Sequence, residues 1–424
     1  MLKAFPDAYV YVKHLIGYDY VRMLITCWYA IGCDHVWFHN MKQLLHSTIR
    51  QWDMVIGGLS DYVKCHSDVI DSDISWRFYA ELKNLTGYRL LPWPGMDEKK
   101  DLEALRTGLG IEKDFNGVSY AEACKVLQMP ARPKKVRSFY DFVRDGEWLT
   151  NGASNIGHLN VRYDGKLYKV KDRKNMLVDS FTIDELWAYI NQNDLMQSSV
   201  FVKNELGKIR LAVCSDLATY LRMCWIIGAS GSSYKYWKYV TRSETSKEKI
   251  ARMQDMTKLL KNKYGMAWDY KGFERQVTTQ EMKDIFETMA RNGLSNVPAH
   301  VQDEYLTQCK IVIDGFFTAV IVDFDKKKLP VTGGLPSGLY ITSPVGDGFN
   351  LVAANRVMEL LTDLGVEYDN VLYSTLIQGD DTSWVDANPA TLQIIDWLLV
   401  RCGFIGGTGK FGITKESTEF LRVN

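Results

Sequence analysis

The chain has 424 residues, 46% hydrophobic and 24% charged, a balance that counts against disorder and gives enough apolar material for two or three packed subdomains. Its 51 basic and 51 acidic residues leave no formal net charge, which argues against nucleic-acid binding by overall basicity and assigns any such role to local patches. The eight cysteines (27, 33, 65, 124, 214, 224, 309 and 402) contain no Cys-x-x-Cys pair, so buried free thiols are expected rather than zinc ribbons or a disulfide framework.

The first 130 or so residues are rich in Trp, Tyr, Met and His, and the apolar period from Tyr9 to Ile31 predicts a mostly helical region. Cys33, His35 and His39 lie close together, yet their aromatic surroundings and the lack of further ligands favour a structural role over a metal site. Leu91 to Gly95 and Pro130 to Pro133 read as breaks. No stretch reaches the roughly 18 apolar residues of a membrane span, and the first residues lack a signal-peptide pattern. A soluble intracellular protein is expected.

From Ser138 to about Val240 short β-prone runs alternate with helical ones, and Thr182 with Glu185 has the spacing of a capping box. Lys203, Glu205, Lys208 and Arg210 fall on an expected hairpin turning at Leu206 and Gly207. Alternation puts Lys208 and Arg210 on one side of a strand, where they would clamp phosphates. An exposed charged hairpin is the plainer reading of these four alone. Basic clusters at Arg132 to Arg137, Lys166 to Lys174 and Lys326 to Lys328 are each ordinary solvated faces, but together they would suit a channel.

The third section, 261–424, reads as a strand ending at Asp269, then a helix capped by Thr278 and Glu281 and stopped by Gly293. Strands are expected around Ile311 to Asp323, then a glycine-rich turn from Gly333 to Gly338 and a helix from about Gly346 to Leu364. Val371 to Ile377 and Thr382 to Val385 are β-prone and flank Gln378, Gly379, Asp380 and Asp381, the pattern of a hairpin with an acidic crest. Asn388 and Pro389 then open a helix in the cap and first-turn positions. This order predicts an α+β fold, an antiparallel sheet backed by helices.

Gly-Asp-Asp alone is short enough to arise by chance. If the strand ending at Asp269 pairs beside the hairpin, however, Asp269, Asp380 and Asp381 converge at one sheet edge, a donor set suited to two divalent ions and a triphosphate. Ser337, Thr342 and Asn350 supply neutral donors and acceptors suited to sugar hydroxyls, and Gly338 lets backbone approach closely.

The ordered set Lys203-x-Glu205-x-Gly207-Lys208-x-Arg210, Asp269-Tyr270-x-x-Phe273-Glu274, Ser337-Gly338-x-x-x-Thr342, Gly379-Asp380-Asp381 and Glu419-Phe420-Leu421-Arg422 resembles the motif series of viral RNA-dependent RNA polymerases, most closely those of double-stranded RNA viruses of the totivirus-like group. The resemblance covers about Gln197 to Val423. It implies a right-hand polymerase: a helical region with fingertips over 1–137, fingers over 138–260, and a palm over 261–424 that interleaves with fingers around 291–335. With so little sequence after Arg422, the thumb is expected to be largely absent from this chain. Asp269 and Asp380 are then expected to bind two Mg2+ or Mn2+ ions, with Asp381 as a third carboxylate. Lys203, Lys208 and Arg210 would hold the triphosphate, Ser337, Gly338, Thr342 and Asn350 the sugar and template, and Lys410 or Lys415 would protonate departing pyrophosphate. Trp148 to Gly157, with Asn151 to Ser154 at its centre, weakly matches the template-entry segment.

Two positions depart from the family pattern. Glu274 stands where many members have aspartate or asparagine, so its ribose contact is in question, and Gly346 stands where many have asparagine. The partners implied are an RNA template, a nascent strand and nucleoside triphosphates, with viral capsid protein as a further candidate. The implied setting is the host cytoplasm or the interior of a viral particle. Two other readings fit the same residues: a reverse-transcriptase-like polymerase, against which Gln378 leans, and a non-catalytic RNA-binding subunit with a polymerase-like palm.

Overall fold

The computed structural model describes residues 97–150, 152–163, 165–205, 208–366, 375–407, 412–416, 418 and 420. Several expectations therefore lie outside the described residues: the helical region before residue 97, Asn151, Leu206 with Gly207, the part of the expected strand from Val371 to Ser374, Lys410, Glu419, Leu421 and Arg422. The chain divides into two compact units, one comprising Met1–Met96, Val202–Arg210 and Thr408–Thr414, the other Asp97–Phe201, Leu211–Gly407 and Lys415–Asn424.

Ten strands are described: β1 (Ala153–Tyr163), β2 (Lys166–Arg173), β3 (Gln197–Glu205), β4 (Lys208–Ser215), β5 (Tyr264–Trp268), β6 (Val320–Val322), β7 (Lys328–Pro330), β8 (Leu376–Gln378), β9 (Asp381–Asp386) and β10 (Gly412–Lys415). β1 and β2 form an antiparallel hairpin. A second sheet runs β4, β3, β6, β7, with β3 and β6 parallel and β6 and β7 antiparallel. In the third sheet β5, β9 and β8 lie side by side in that order, both pairings antiparallel. The helices Thr342–Asp363 and Pro389–Arg401 pack on that sheet and on each other. The mixture of helix with an antiparallel sheet is the α+β arrangement expected.

Local chemistry accounts for the helix ends. Thr182, Thr245 and Thr278 each accept from the amide three residues on, and Glu185, Glu248 and Glu281 reach back to the cap amide, so all three pairs close capping boxes. Asn388 caps Pro389–Arg401 as its side chain accepts from the Ala390 amide.

One predicted element is corrected. Ile311 to Thr318 is helix, the second half of Gln302–Thr318, and only Val320–Val322 is strand. The β-branched run Ile311, Val312 and Ile313 suggests a strand, but Tyr305, Cys309, Val312 and Phe316 are buried at helical spacing, and packing along that stripe overrides local propensity.

Behind the third sheet lies an aromatic cluster. Phe349 is fully buried and meets Phe273 at 5.6 Å, Phe404 at 5.5 Å and Tyr270 at 6.4 Å between ring centroids. The Lys113 amine sits 5.3 Å from both the Phe349 and Phe404 rings. It donates to the carbonyls of Ile111 and Gln276 and faces the Glu281 carboxylate at 3.6 Å, so this buried charge is compensated on all sides.

Candidate active site

Asp269 follows the last residue of β5. Trp268 pairs with Thr382, so Asp269 and Asp381 occupy the next opposed positions of the same register. Gln378 pairs with Asp381, which leaves Gly379 and Asp380 as a two-residue turn with Asp380 exposed. Gly379 has φ of 64° while Asp380 is not among the positive-φ residues, the pattern of a hairpin whose first turn position asks for glycine. The three expected acids thus share one end of adjacent strands. Among the described residues, no three His, Cys, Asp or Glu side chains are gathered in a group that would hold a metal ion as they are oriented.

The turn is held by the helix Thr342–Asp363. Asp347 Oδ1 accepts the Gly379 N–H at 2.7 Å, and Asn350 Nδ2 donates to the Gly379 carbonyl at 2.9 Å. Asn350 Oδ1 also accepts from the Tyr270 hydroxyl at 3.0 Å and the Thr382 hydroxyl at 2.8 Å. With Asn350 only 1% exposed and its oxygen doubly engaged, it ties β5, β9 and the turn to one helix. Arg242 donates through Nη2 to Asp347 Oδ1 at 2.9 Å and through Nε to Oδ2. Burial pushes the Asp347 carboxyl up from its ordinary range, while the Arg242 guanidinium and the Gly379 N–H pull it back.

Gly346 explains one departure from the family pattern. A Cβ there would stand 3.2 Å from the Phe273 ring, tighter than usual, and 3.9 Å from the Gly379 Cα, an ordinary contact, so a side chain at this position would press chiefly on Phe273. At the foot of β5, Gly407 donates its N–H to the Asp269 carbonyl at 2.7 Å, and a Cβ on Gly407 would stand 2.9 Å from Asp269 Oδ2. Burial raises the Tyr270 hydroxyl's pKa, and the Asp380 charge raises it further, so this hydroxyl stays a protonated donor.

The glycine-rich loop is closed by its own residues. Thr342 donates its hydroxyl to the Pro336 carbonyl at 2.8 Å and accepts the Gly338 N–H at 3.3 Å, while the Ser337 carbonyl accepts the Val213 N–H at 2.8 Å. Gly338 has φ of 122°, and a Cβ on it would lie 1.8 Å from the Val213 carbonyl oxygen. Only glycine fits there. The Glu274 carbonyl accepts the Leu335 N–H at 2.7 Å, so the loop is seated along the Phe273–Gln276 helix. Lys203, Glu205, Lys208 and Arg210 lie on β3 and β4 in the first unit, on either side of the expected turn. Lys415 is exposed at the end of β10.

The family model for viral RNA-directed RNA polymerase matches residues 118–424. The chain belongs to the viral RNA-directed RNA polymerase family. Among curated relatives of this polymerase family member is the probable RNA-directed RNA polymerase of Giardia lamblia virus (isolate Wang), 23% identical over 360 residues, which are 82% of this chain and 18% of that protein. The chain therefore spans under a fifth of that relative's length. Two solved structures, the RNA-dependent RNA polymerase of a human picobirnavirus and its insertion-loop deletion mutant, each superpose with a TM-score of 0.54. The mutant is 12% identical, with 86% of this chain and 71% of that one covered; the unaltered enzyme is 11% identical, with 85% and 68% covered. At such identity the likeness establishes the polymerase fold.

Sequence reasoning misses Arg242, Asp347 and Thr241. Asp347 carries one available signal, its place one helical turn before Asn350 and hence on the same helix face. Arg242 carries none, being 105 positions away from its partner.

Proposed function

We propose that this chain carries the catalytic core of a viral RNA-directed RNA polymerase. The observation that supports this best is the β5–β9 register, which sets Asp269 opposite Asp381 beside the exposed Asp380. In the reaction a nascent-strand 3′-hydroxyl oxygen attacks the α-phosphorus of a nucleoside triphosphate. A phosphorus–oxygen bond forms, the bond to the bridging oxygen of the β-phosphate breaks, pyrophosphate leaves and the hydroxyl proton is lost.

The carboxylate oxygens of Asp269, Asp380 and Asp381 are hard donors that fit Mg2+ or Mn2+ in chemistry and strand placement, although the side chains do not stand in a closed cluster. When bound, two such ions would neutralise charge on the reacting phosphates and lower the pKa of the attacking hydroxyl. Lys203, Lys208 and Arg210 attract the triphosphate in this reading, and Ser337 with Gly338 presents loop backbone to template and nucleotide. Glu274 borders that loop. Lys410 or Lys415 gives a proton to the leaving pyrophosphate. Asn350 and Thr342 serve by holding the turn and the loop in shape.

The test is incorporation of labelled nucleotides on a short RNA template with Mg2+ or Mn2+, beside an Asp380→Ala variant. Template-dependent product from the parent and a loss of at least about a hundredfold in the variant are expected. Equal product from both removes the assignment, and a preference for deoxynucleotides moves it to a reverse-transcriptase-like enzyme.

A further inference from the structure

Residues 239–242 run alongside the outer edge of β8 and touch three consecutive residues of the hairpin. The Tyr239 carbonyl accepts the Ile377 N–H at 2.9 Å, and the Thr241 N–H donates to the Ile377 carbonyl at 3.1 Å. The Thr241 hydroxyl donates to Gln378 Oε1 at 2.9 Å. Arg242 grips Asp347, whose Oδ1 takes the Gly379 N–H. Ile377, Gln378 and Gly379 are thus secured one after another, up to the residue before Asp380.

The geometry points to Thr241 and Arg242 as positioning residues that fix the acidic turn, and so the place of Asp380, through Gln378 and Asp347. This inference rests on the polymerase reading of the site. Three observations support it. The Asp347 side chain is fully buried, so without the guanidinium its carboxylate would keep the Gly379 N–H but no countercharge, which favours the neutral acid, a weaker acceptor for that amide. Tyr239 is held at φ of 71°, an unfavourable conformation for a non-glycine residue that surrounding contacts must maintain. The segment is also anchored from behind. The Glu244 N–H donates to the Thr241 carbonyl at 3.1 Å, the Glu244 carboxylate pairs with Arg252 at 2.8 Å, and the Arg252 guanidinium lies 5.1 Å from the centre of the Phe420 ring. Phe420 belongs to the last of the polymerase-like motifs. The clamp therefore joins the acidic turn to that motif.

A buried ion pair is weak evidence of stabilisation by itself, so the test reads position rather than fold. Arg242→Gln, Asp347→Asn, their double variant and the near-isosteric Thr241→Val are made in the full chain, and amide exchange of a peptide spanning 376–382 is followed by mass spectrometry. Faster exchange there by about tenfold or more is expected in each single variant, with exchange elsewhere unchanged. In nucleotide incorporation, kcat is expected to fall by about ten- to a hundredfold while KM for the nucleotide stays within about threefold. The double variant is expected to be no worse than the poorer single one, and Arg242→Lys to recover part of the rate. Exchange at 376–382 equal to the parent's, or losses that simply add in the double variant, would overturn the clamp. Thr241→Val keeps the question open to test should the charge variants fold poorly. A parent chain that incorporates nothing counts against the polymerase reading alone, since the exchange comparison still decides whether these residues hold the turn.

Discussion

Asp347 and Asn350 stand one helical turn apart and hold opposite sides of the same residue: Asp347 takes the N–H of Gly379 and Asn350 gives a hydrogen bond to its carbonyl. A turn residue is ordinarily the most mobile point of a hairpin, and here both its backbone polar groups are occupied by side chains of a buried helix. Strand, turn and helix are consequently tied together at this residue.

Replacing Asn350 by alanine strands the Tyr270 and Thr382 hydroxyls and the Gly379 carbonyl together. The two hydroxyls are buried and Gly379 is half-buried; each buried group left without a partner costs about 1–3 kcal/mol, so a loss of stability of about 2 kcal/mol or more is expected in urea titrations. Incorporation falls with it even in protein that remains folded. A variant within about 0.5 kcal/mol of the parent would show that the network carries no net stability.

Two glycines with positive φ separate conformational strain from collision. At Gly379, where φ is 64°, an added Cβ would meet nothing within 4 Å, so Gly379→Ala costs only the left-handed penalty of about 1–2 kcal/mol. Gly338→Ala forces a Cβ to 1.8 Å from the Val213 oxygen and is expected to cost clearly more, by displacing the loop from β4. Thermal melts of the two variants side by side decide this, and equal shifts would count against the loop packing described.

Burial pushes the Cys309 thiol up to about 12 and the Cys402 thiol up to about 11, so almost no thiolate is present at pH 8. Iodoacetamide is expected to leave both unmodified in the native protein and to label both after denaturation, as read by peptide mass spectrometry. Native labelling as fast as in the denatured chain would contradict their burial.

The capping boxes respond to pH with opposite signs. Backbone and side-chain hydrogen bonds from Thr182 and Thr245 hold Glu185 and Glu248 below the ordinary 4.5, so their contribution is present above that value and is lost as pH falls through the folded value. Glu281 has the same motif but is raised by burial, against the pull of Lys113 and Thr278. The folded state then binds more protons than the unfolded one above 4.5, and this contribution weakens as pH rises through the folded value. Urea midpoints measured between about pH 3.5 and 7 should show the cost of Glu185→Gln growing with pH and that of Glu281→Gln shrinking. Parallel trends would refute the difference in environment.

Much of this arrangement is legible in the chain because it is written in local signals. The β-prone runs about Gly379, the strand leading to Asp269, and the threonine–glutamate spacings at Thr182 and Thr278 are each set within a few residues. Ile311 to Thr318 misleads for the same reason: a β-branched triplet is a local signal, whereas the burial of Tyr305, Cys309, Val312 and Phe316 depends on distant partners. The role of Asn350 is hidden because a polar side chain on a helix reads alike whether it faces a ligand or three internal partners. Arg242 and Asp347 form a contact of long sequence separation, invisible to periodicity and spacing.

The parallel bridge between Val240 and Ile377 has a consequence for how the protein behaves in company. β8 ends the row of strands formed with β5 and β9, and an end strand normally offers its open hydrogen-bonding groups to any extended peptide nearby. Here the Ile377 N–H and carbonyl are already taken by Tyr239 and Thr241. At Ile377 that border of the sheet has no open backbone group left to recruit a foreign strand, which guards against aggregation through this point.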